Sequence, residues 1–340
     1  MQIRVFLYII LFFFISCLPA EAAREFISVR YPPDNTIMEF GLLGISMYVP
    51  EGSADLIKAK VNNREILKII PDLQYECFSL PLTLGLNKIN ITAIRQGKQV
   101  YNVNFNVFRR SDLVSEYMKA PPGFRKNYFH MKDNEQCTEC HTLEPREFDK
   151  KPISPMSFAA EAFDRQTVIA ATSTCYSCHN KIASYPYVHG PVAVWSCLSC
   201  HDKESEPEYS VKKPDAEVCF GCHIEQKNDW NSKKFTHGPV TIGKCTICHS
   251  PHAAEYPFNL YKPTWNLCVN CHSEKANGKH VLADNFFSEG HPTRNRPDPV
   301  RTGKKLTCAS CHSPHASNSP HLWAFDVKNM FELCQKCHNK

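Results

Sequence analysis

Between residues 24 and 112, apolar and polar positions alternate with a period of two. Ile89, Ile91 and Ala93 are separated by polar residues, and Tyr101, Val103, Phe105 and Val107 repeat the pattern. That period puts one set of side chains on one face of a strand. Gln96-Gly97-Lys98 separates these two runs, and Asn62-Asn63 separates another pair, both with hairpin-turn chemistry. About seven short strands in this length predict an all-β domain, an immunoglobulin-like sandwich over 23–112. Cys77, in the run Tyr-Glu-Cys-Phe, is expected to be a buried thiol on one of those strands.

Beyond residue 112 the alternation stops. Residues 113–129, with Pro121-Pro122-Gly123, read as a linker. From 130 onward only short helices are predicted. Asp215, Thr264 and Asp326 stand as N-caps for turns carrying Cys219, Cys268 and Cys334, and Ser157 opens a longer helix through Ala171. At the other end, Arg4 precedes an apolar run from Val5 to Leu18, and Ala20-Glu21-Ala22 follows it. This is the layout of a signal peptide over 1–22. Phe14-Ile15-Ser16-Cys17 offers a second processing route, with a lipid on Cys17. Both predict export to the periplasm or the cell surface.

Composition changes the picture after this. The 340 residues include 18 cysteines and 16 histidines, with a net charge of +5. That charge is too small to argue for nucleic acid. Apart from Cys17 and Cys77, every cysteine lies after residue 136, in a Cys-x-x-Cys pair followed at once by histidine. The pairs are Cys137/Cys140, Cys175/Cys178, Cys197/Cys200, Cys219/Cys222, Cys245/Cys248, Cys268/Cys271, Cys308/Cys311 and Cys334/Cys337. The histidines that follow them are His141, His179, His201, His223, His249, His272, His312 and His338.

Cys-x-x-Cys-His is the attachment signature of c-type haem. Two thiols three residues apart lie on one side of a helical turn and can reach the two vinyl groups on one porphyrin edge. The next imidazole turns under the ring as proximal iron ligand. Disulfide frameworks and zinc ribbons do not require a histidine directly after each pair. Eight such motifs predict eight covalent c-type haems.

The other eight histidines are His130, His189, His237, His252, His280, His291, His315 and His321. One spare imidazole per iron suggests bis-histidine ligation throughout, with low potentials. The motifs also repeat in pairs, as four two-haem units over about 130–180, 181–230, 231–275 and 276–340. His189-Gly-Pro-Val and His237-Gly-Pro-Val precede their first motifs at the same spacing; His130 and His291 hold similar places. Units three and four share His249-Ser-Pro-His252 and His312-Ser-Pro-His315. Histidines three apart cannot easily straddle one iron, so the second of each should reach a neighbouring haem. Units one and two have Thr142-Leu143-Glu144 and Asp202-Lys203-Glu204 instead, which leaves His280 and His321 as spare candidates for them. Met131, beside His130, is the only methionine placed to compete.

This constellation resembles the doubled-CXXCH, cytochrome-c3-like multihaem cytochromes. The resemblance is best over 237–340 and gapped over 130–230. It implies an electron carrier in respiratory or extracellular electron transfer rather than an enzyme. Its partners would be redox protein donors and acceptors, such as other multihaem cytochromes or a membrane quinol-oxidising complex. The rivals are an octahaem nitrite- or hydroxylamine-converting oxidoreductase with one open haem, and a self-assembling filament subunit. Roughly sixteen haem propionates would offset the positive charge of the polypeptide. The region has about 28 residues per haem, so porphyrin faces must stand in for a side-chain core. Trp195, Trp230, Trp265 and Trp323 are expected to pack on haem edges. The basic stretch Arg294 to Lys305 reads as a solvated loop, with haem propionates or a partner as the alternative contact.

Overall fold

The computed structural model describes residues 26–128, 130, 143–145, 173–276, 280 and 291–338. The signal segment, the first motif (Cys137, Cys140, His141), Met131 and the Ser157 helix lie outside them. Among the described residues no helix is long and apolar enough to cross a membrane.

Nine strands build the N-terminal domain. They are β1 (Ser28–Tyr31), β2 (Thr36–Met38), β3 (Leu42–Tyr48), β4 (Leu56–Val61), β5 (Arg64–Ile69), β6 (Tyr75–Pro81), β7 (Gly85–Arg95), β8 (Lys98–Arg109) and β9 (Arg125–Lys126). One sheet runs β1-β3-β6 and the other β5-β4-β7-β8-β2-β9. Leu43, Met47 and Leu80 from the first sheet meet Ile57, Ile89, Ile91 and Val107 from the second in one apolar core. The predicted alternation is the inward face of β7 and β8. Both predicted hairpins form through two-residue turns with positive φ, at Asn62 (50°) and Asn63 (66°) and at Gln96 (50°) and Gly97 (74°). These turns match the right-handed twist of the strands they join.

Asn87 is fully buried in β7. Its amide donates to the carbonyls of Thr83 (2.8 Å) and Gly85 (3.0 Å), and its oxygen accepts from the Thr83 amide (2.9 Å). The side chain thus satisfies the backbone of the turn that enters β7.

Two features differ from expectation. Cys77 is exposed, because β6 turns Glu76 inward. The Glu76 carboxylate accepts the amides of Asp72 and Leu73, which outweighs the apolar preference of the neighbouring thiol. Within the span read as linker, β9 pairs in parallel with β2, and Phe124 packs edge-on against Phe108.

Beyond residue 128 the described chain is built from short pieces. Its longest described helix is Ile224–Asn231, and most of the others are single turns. Two small ladders cross it: β10 (Tyr187–Val188) with β12 (Ala253–Ala254), and β11 (Phe235–Thr236) with β13 (Ala316–Ser317). Among the described residues here, buried apolar side chains are sparse: Ala193, Val194, Trp195, Ala253, Ala254, Leu267, Ala316 and Val327. The β domain leans on this region, with the Phe40 ring 5.3 Å from the His252 ring.

Candidate haem-binding site

Each described Cys-x-x-Cys-His motif closes one helical turn. The histidine amide donates to the carbonyl of the first cysteine, from His179 to Cys175 (2.9 Å) through His338 to Cys334 (2.9 Å). The same bond closes the motifs of His201, His223, His249, His272 and His312. This turn puts both thiols and the imidazole on one side, the arrangement that a doubly tethered porphyrin requires. The helices differ from expectation in their caps. Asn329, not Asp326, caps Met330–Gln335, its side chain accepting the Glu332 amide. Thr264 is the first helical residue rather than the cap, and Pro263 precedes it. Asp215 flanks Ala216–Cys219, but its carboxylate reaches the next unit, accepting the Thr246 amide (2.8 Å) and hydroxyl (2.7 Å).

The thiols are not equally enclosed, a difference that motif spacing does not show. Cys178, Cys222 and Cys271 are exposed, whereas Cys175, Cys219 and Cys268, the first thiols of the same motifs, are half-buried. Each exposed thiol is the second of a unit's second motif. The one-turn geometry accounts for the difference in two of them. Cys219 and Cys268 lie at the seam with the following unit, against Cys245 and Cys308. Cys222 and Cys271 stand three residues beyond that seam, next to exposed chain at Ile224 and Ser273. Attachment to a porphyrin edge would itself cover such thiols, so their exposure is compatible with the tethering role assigned to them.

Seven motif histidines each face one other histidine. The pairs, with ring-centroid distances, are His179–His130 (6.1 Å), His201–His252 (6.0 Å), His223–His189 (6.1 Å), His249–His315 (6.1 Å), His272–His237 (6.2 Å), His312–His280 (5.8 Å) and His338–His291 (6.1 Å). An iron between two imidazoles, with bonds of about 2 Å on each side, sets ring centroids about 6 Å apart. Among the described residues, no group of three or more His, Cys, Asp or Glu side chains could hold a bare metal ion. Each facing pair offers two opposed imidazole donors, which fits a metal whose other ligands come from a porphyrin.

Backbone bonds set the register of the pairs. The His189 amide donates to the His252 carbonyl, and the His237 amide to the His315 carbonyl, both at 2.8 Å. Each ladder thereby clamps the His-Gly-Pro-Val of one unit to the Ser-Pro-His of the next. Nδ1 of His189 donates to the Pro251 carbonyl (3.0 Å) and Nδ1 of His237 to the Pro314 carbonyl (3.0 Å). In the motifs, Nδ1 of His201, His249 and His312 donates to the carbonyls of Tyr209 (2.7 Å), Phe258 (2.8 Å) and His321 (2.8 Å). With Nδ1 engaged, Nε2 is left as the lone-pair nitrogen, and the carbonyl fixes the ring's orientation.

Burial pushes the imidazoles of His179, His252 and His315 down to about 4, with neighbouring histidines adding to the effect. These rings are neutral at ordinary pH, the state a metal ligand needs. The pairs lie side by side in chain order. His201 adds to the lowering of His130 and His179, His249 to that of His189, and His237 to that of His315. Between units, the thiols of Cys219 and Cys245 are hydrogen-bonded neighbours, as are those of Cys268 and Cys308.

His280 differs from expectation: it faces His312 in unit four rather than serving the first two units. His321 is exposed, its ring 5.2 Å from Trp323, and it faces none of the described motif histidines. Several contacts carried no sequence signal. Trp230 stacks on His315 (4.2 Å, 19°), the place Phe40 takes on His252. Trp195 is buried against Tyr176, and Trp265 lies under Arg294 at 3.9 Å. The basic stretch is solvated at Arg294, Arg296, Lys304 and Lys305, and buried Asp298 braces it by accepting from Ser310 Oγ (2.7 Å) and from the amides of Val300 and Arg301.

A family model described as the doubled CXXCH motif matches residues 189–228, 237–277 and 298–340. The chain is 31% identical over 225 residues to the multiheme cytochrome MtrA of Shewanella baltica (strain OS185), covering 62% of this chain and 66% of that protein. It thus spans just under two thirds of that relative's length. Among solved structures, the fibronectin(III)-like modules of Clostridium thermocellum CbhA match 25% of this chain and 95% of their own, at 13% identity and a TM-score of 0.21. A Bacteroides uniformis beta-glucuronidase matches 24% of this chain and 10% of its own, at 11% identity and a TM-score of 0.20. Likenesses that slight carry no argument. The sequence matches, together with a motif turn repeated along one scaffold, support a multihaem c-type cytochrome carrying the doubled CXXCH motif.

Proposed function

We propose that this chain is an exported octahaem cytochrome that passes electrons along a row of haems in chain order, in respiratory or extracellular electron transfer. The observation that carries the reading is the set of seven facing imidazole pairs, each about 6 Å across and ordered along the chain. Each covalent haem supplies one reversible Fe(III)/Fe(II) couple. The residues supply the rest. The motif turn presents two thiols and one imidazole together. The ladders bring the second imidazole from the same or the next unit. The carbonyls on Nδ1 hold ring orientation and raise ligand basicity, which favours the ferric state and a low potential.

Under this reading the protein is a carrier and not an enzyme. The leader over 1–22 delivers it to the periplasm or cell surface, where covalent haem attachment takes place. A donor at one end of the row, such as a membrane quinol-oxidising complex, and an acceptor at the other, such as a second multihaem cytochrome, complete the circuit. The test combines haem quantification per polypeptide with electron paramagnetic resonance of the ferric protein. Eight haems, at least seven of them low-spin with bis-imidazole signatures, are expected. Fewer than seven low-spin centres would reject the reading.

A further inference from the structure

Where the β domain meets the haem region, two adjacent arginines have different surroundings. Arg109 is the last residue of β8 and Arg110 follows it. Arg110 is ion-paired with Glu39 (3.0 Å) and with Asp112. Among the described residues no carboxylate pairs with Arg109. Its Nη1 donates to the Leu82 carbonyl at 2.8 Å, and its Nε is shut off from solvent with no acceptor among those residues. Burial without a countercharge is costly for a guanidinium, and buried charges are ordinarily paired.

The fold makes room for this cation. A Cβ at Gly41 would lie 3.1 Å from Arg109 Cζ, so glycine lets the planar group rest against the backbone between β2 and β3. The Gly41 carbonyl accepts from the Leu82 amide at 2.8 Å, which holds both of the arginine's neighbours in place. One residue before Gly41, the Phe40 ring lies 5.3 Å from the His252 ring. Tyr261 and Tyr185 are the electrostatic neighbours of Arg109 from the haem region. The Tyr261 hydroxyl is hydrogen-bonded to Ser250, two residues before His252. Burial pushes the Tyr261 phenol up to about 12, so it stays a neutral hydroxyl and supplies no countercharge.

The guanidinium therefore borders the segment that carries His252, and His252 faces His201 at the spacing of an axial pair. A haem held there brings two propionate carboxylates. Guanidinium is the side-chain cation that meets a carboxylate with two parallel hydrogen bonds. We propose that Arg109 is the counter-ion for a propionate of the haem held by Cys197, Cys200, His201 and His252, with Nε and Nη2 as the donors. The β domain then completes a haem site and is more than a spacer. The inference rests on the haem reading above. The two fail separately, because haem content and low-spin signals test that reading and variants at residue 109 test this one.

The test is a redox titration of the haem-loaded full chain at alkaline pH, followed by electron paramagnetic resonance. The low-spin signal lost in His252→Ala marks the haem between His201 and His252. Arg109→Gln should lower the potential of that haem, moving its equilibrium about tenfold toward the ferric form, or about 59 mV for one electron. The sign follows because a propionate without its cation favours the more positive iron. Arg109→Lys keeps the charge and should recover most of the shift, which loss of packing alone would not allow. Arg110→Gln removes a neighbouring charge that already has carboxylate partners and should leave this haem's potential where it was. Three results would overturn the proposal: an unshifted signal in Arg109→Gln, no recovery in Arg109→Lys, or an equal shift in Arg110→Gln. If Arg109→Gln does not mature, a structure of the haem-loaded wild type decides. A propionate of this haem within hydrogen-bond reach of Arg109 Nε or Nη2 is expected there, and a carboxylate of the polypeptide in that place, or no propionate, would overturn the proposal.

Discussion

The two halves of this molecule are held together by different physics. The β domain closes its own core, with Leu43, Met47, Leu80 and Ile91 fully excluded from water and contributed by both sheets. Among its described residues the haem region has nothing equivalent. It buries a handful of alanines and a few larger side chains, and spends its order on presenting thiols and imidazoles at fixed spacings. Apolar burial contributes roughly 25 cal/mol per Å², so a region with so little of it must draw stability from its cofactors. One chain thus joins a domain that folds by side-chain packing to a domain that folds by metal and porphyrin attachment.

The sharpest break of that contrast is to withhold haem. Expressed without a cytochrome maturation system, the chain should lose order from about residue 130 onward and keep the β domain. Limited proteolysis should then leave a resistant fragment near residues 26–128, and circular dichroism should retain only its β signal. A collapsed, protease-resistant apo haem region would contradict the contrast.

Next in size is a cavity in the sandwich. Ile91→Ala should destabilise the β domain by about 3 kcal/mol, the usual cost of such a truncation in a packed core. Separate melting of the two halves would show it, with far-ultraviolet loss shifting to lower denaturant while the haem absorption transition stays where it was.

A smaller effect is expected at Asp215. Burial raises its carboxyl pKa, but the Lys213 ion pair and the Thr246 bonds outweigh burial and hold it below the usual carboxylate range. A lowered native pKa means that the carboxylate adds stability above its ordinary value of about 3.9, and that this stability is lost as pH falls through the native value. Asp215→Asn should therefore cost about 1–2 kcal/mol at neutral pH and flatten the acid limb of the stability profile. An acid limb identical to wild type would show that this junction between units two and three carries no weight.

How much was legible in the sequence follows the same division. In the β domain, alternation and turn chemistry are local, so both hairpins and the face holding Ile89, Ile91 and Ala93 could be read directly. Cys77 was misread because alternation alone does not say that Glu76 has two backbone amides to satisfy from inside. β9 and Phe40 depend on partners far along the chain, and no local pattern marks them. In the haem region the motif turns are local and were plain. Motif spacing says nothing of burial, so the exposure of Cys178, Cys222 and Cys271 could not be read from it. The Ser-Pro-His spacing predicts that His252 and His315 reach across to neighbours, and they face His201 and His249 of the preceding units. Their partners depended on a register carried by the two-residue ladders, which are too short to show in any periodicity, and no spacing marks the partner of His280. The Asn329 cap was missed for Asp326 because two capping residues lie within one turn of the same helix.

The most direct test of the account is a structure of the haem-loaded protein at a resolution that shows iron–nitrogen bonds. The account predicts seven irons lying in chain order between His130 and His179, His201 and His252, His189 and His223, His249 and His315, His237 and His272, His280 and His312, and His291 and His338, with bonds of about 2 Å. Finding His201 and His252 on different irons, or the seven irons out of chain order, would contradict it.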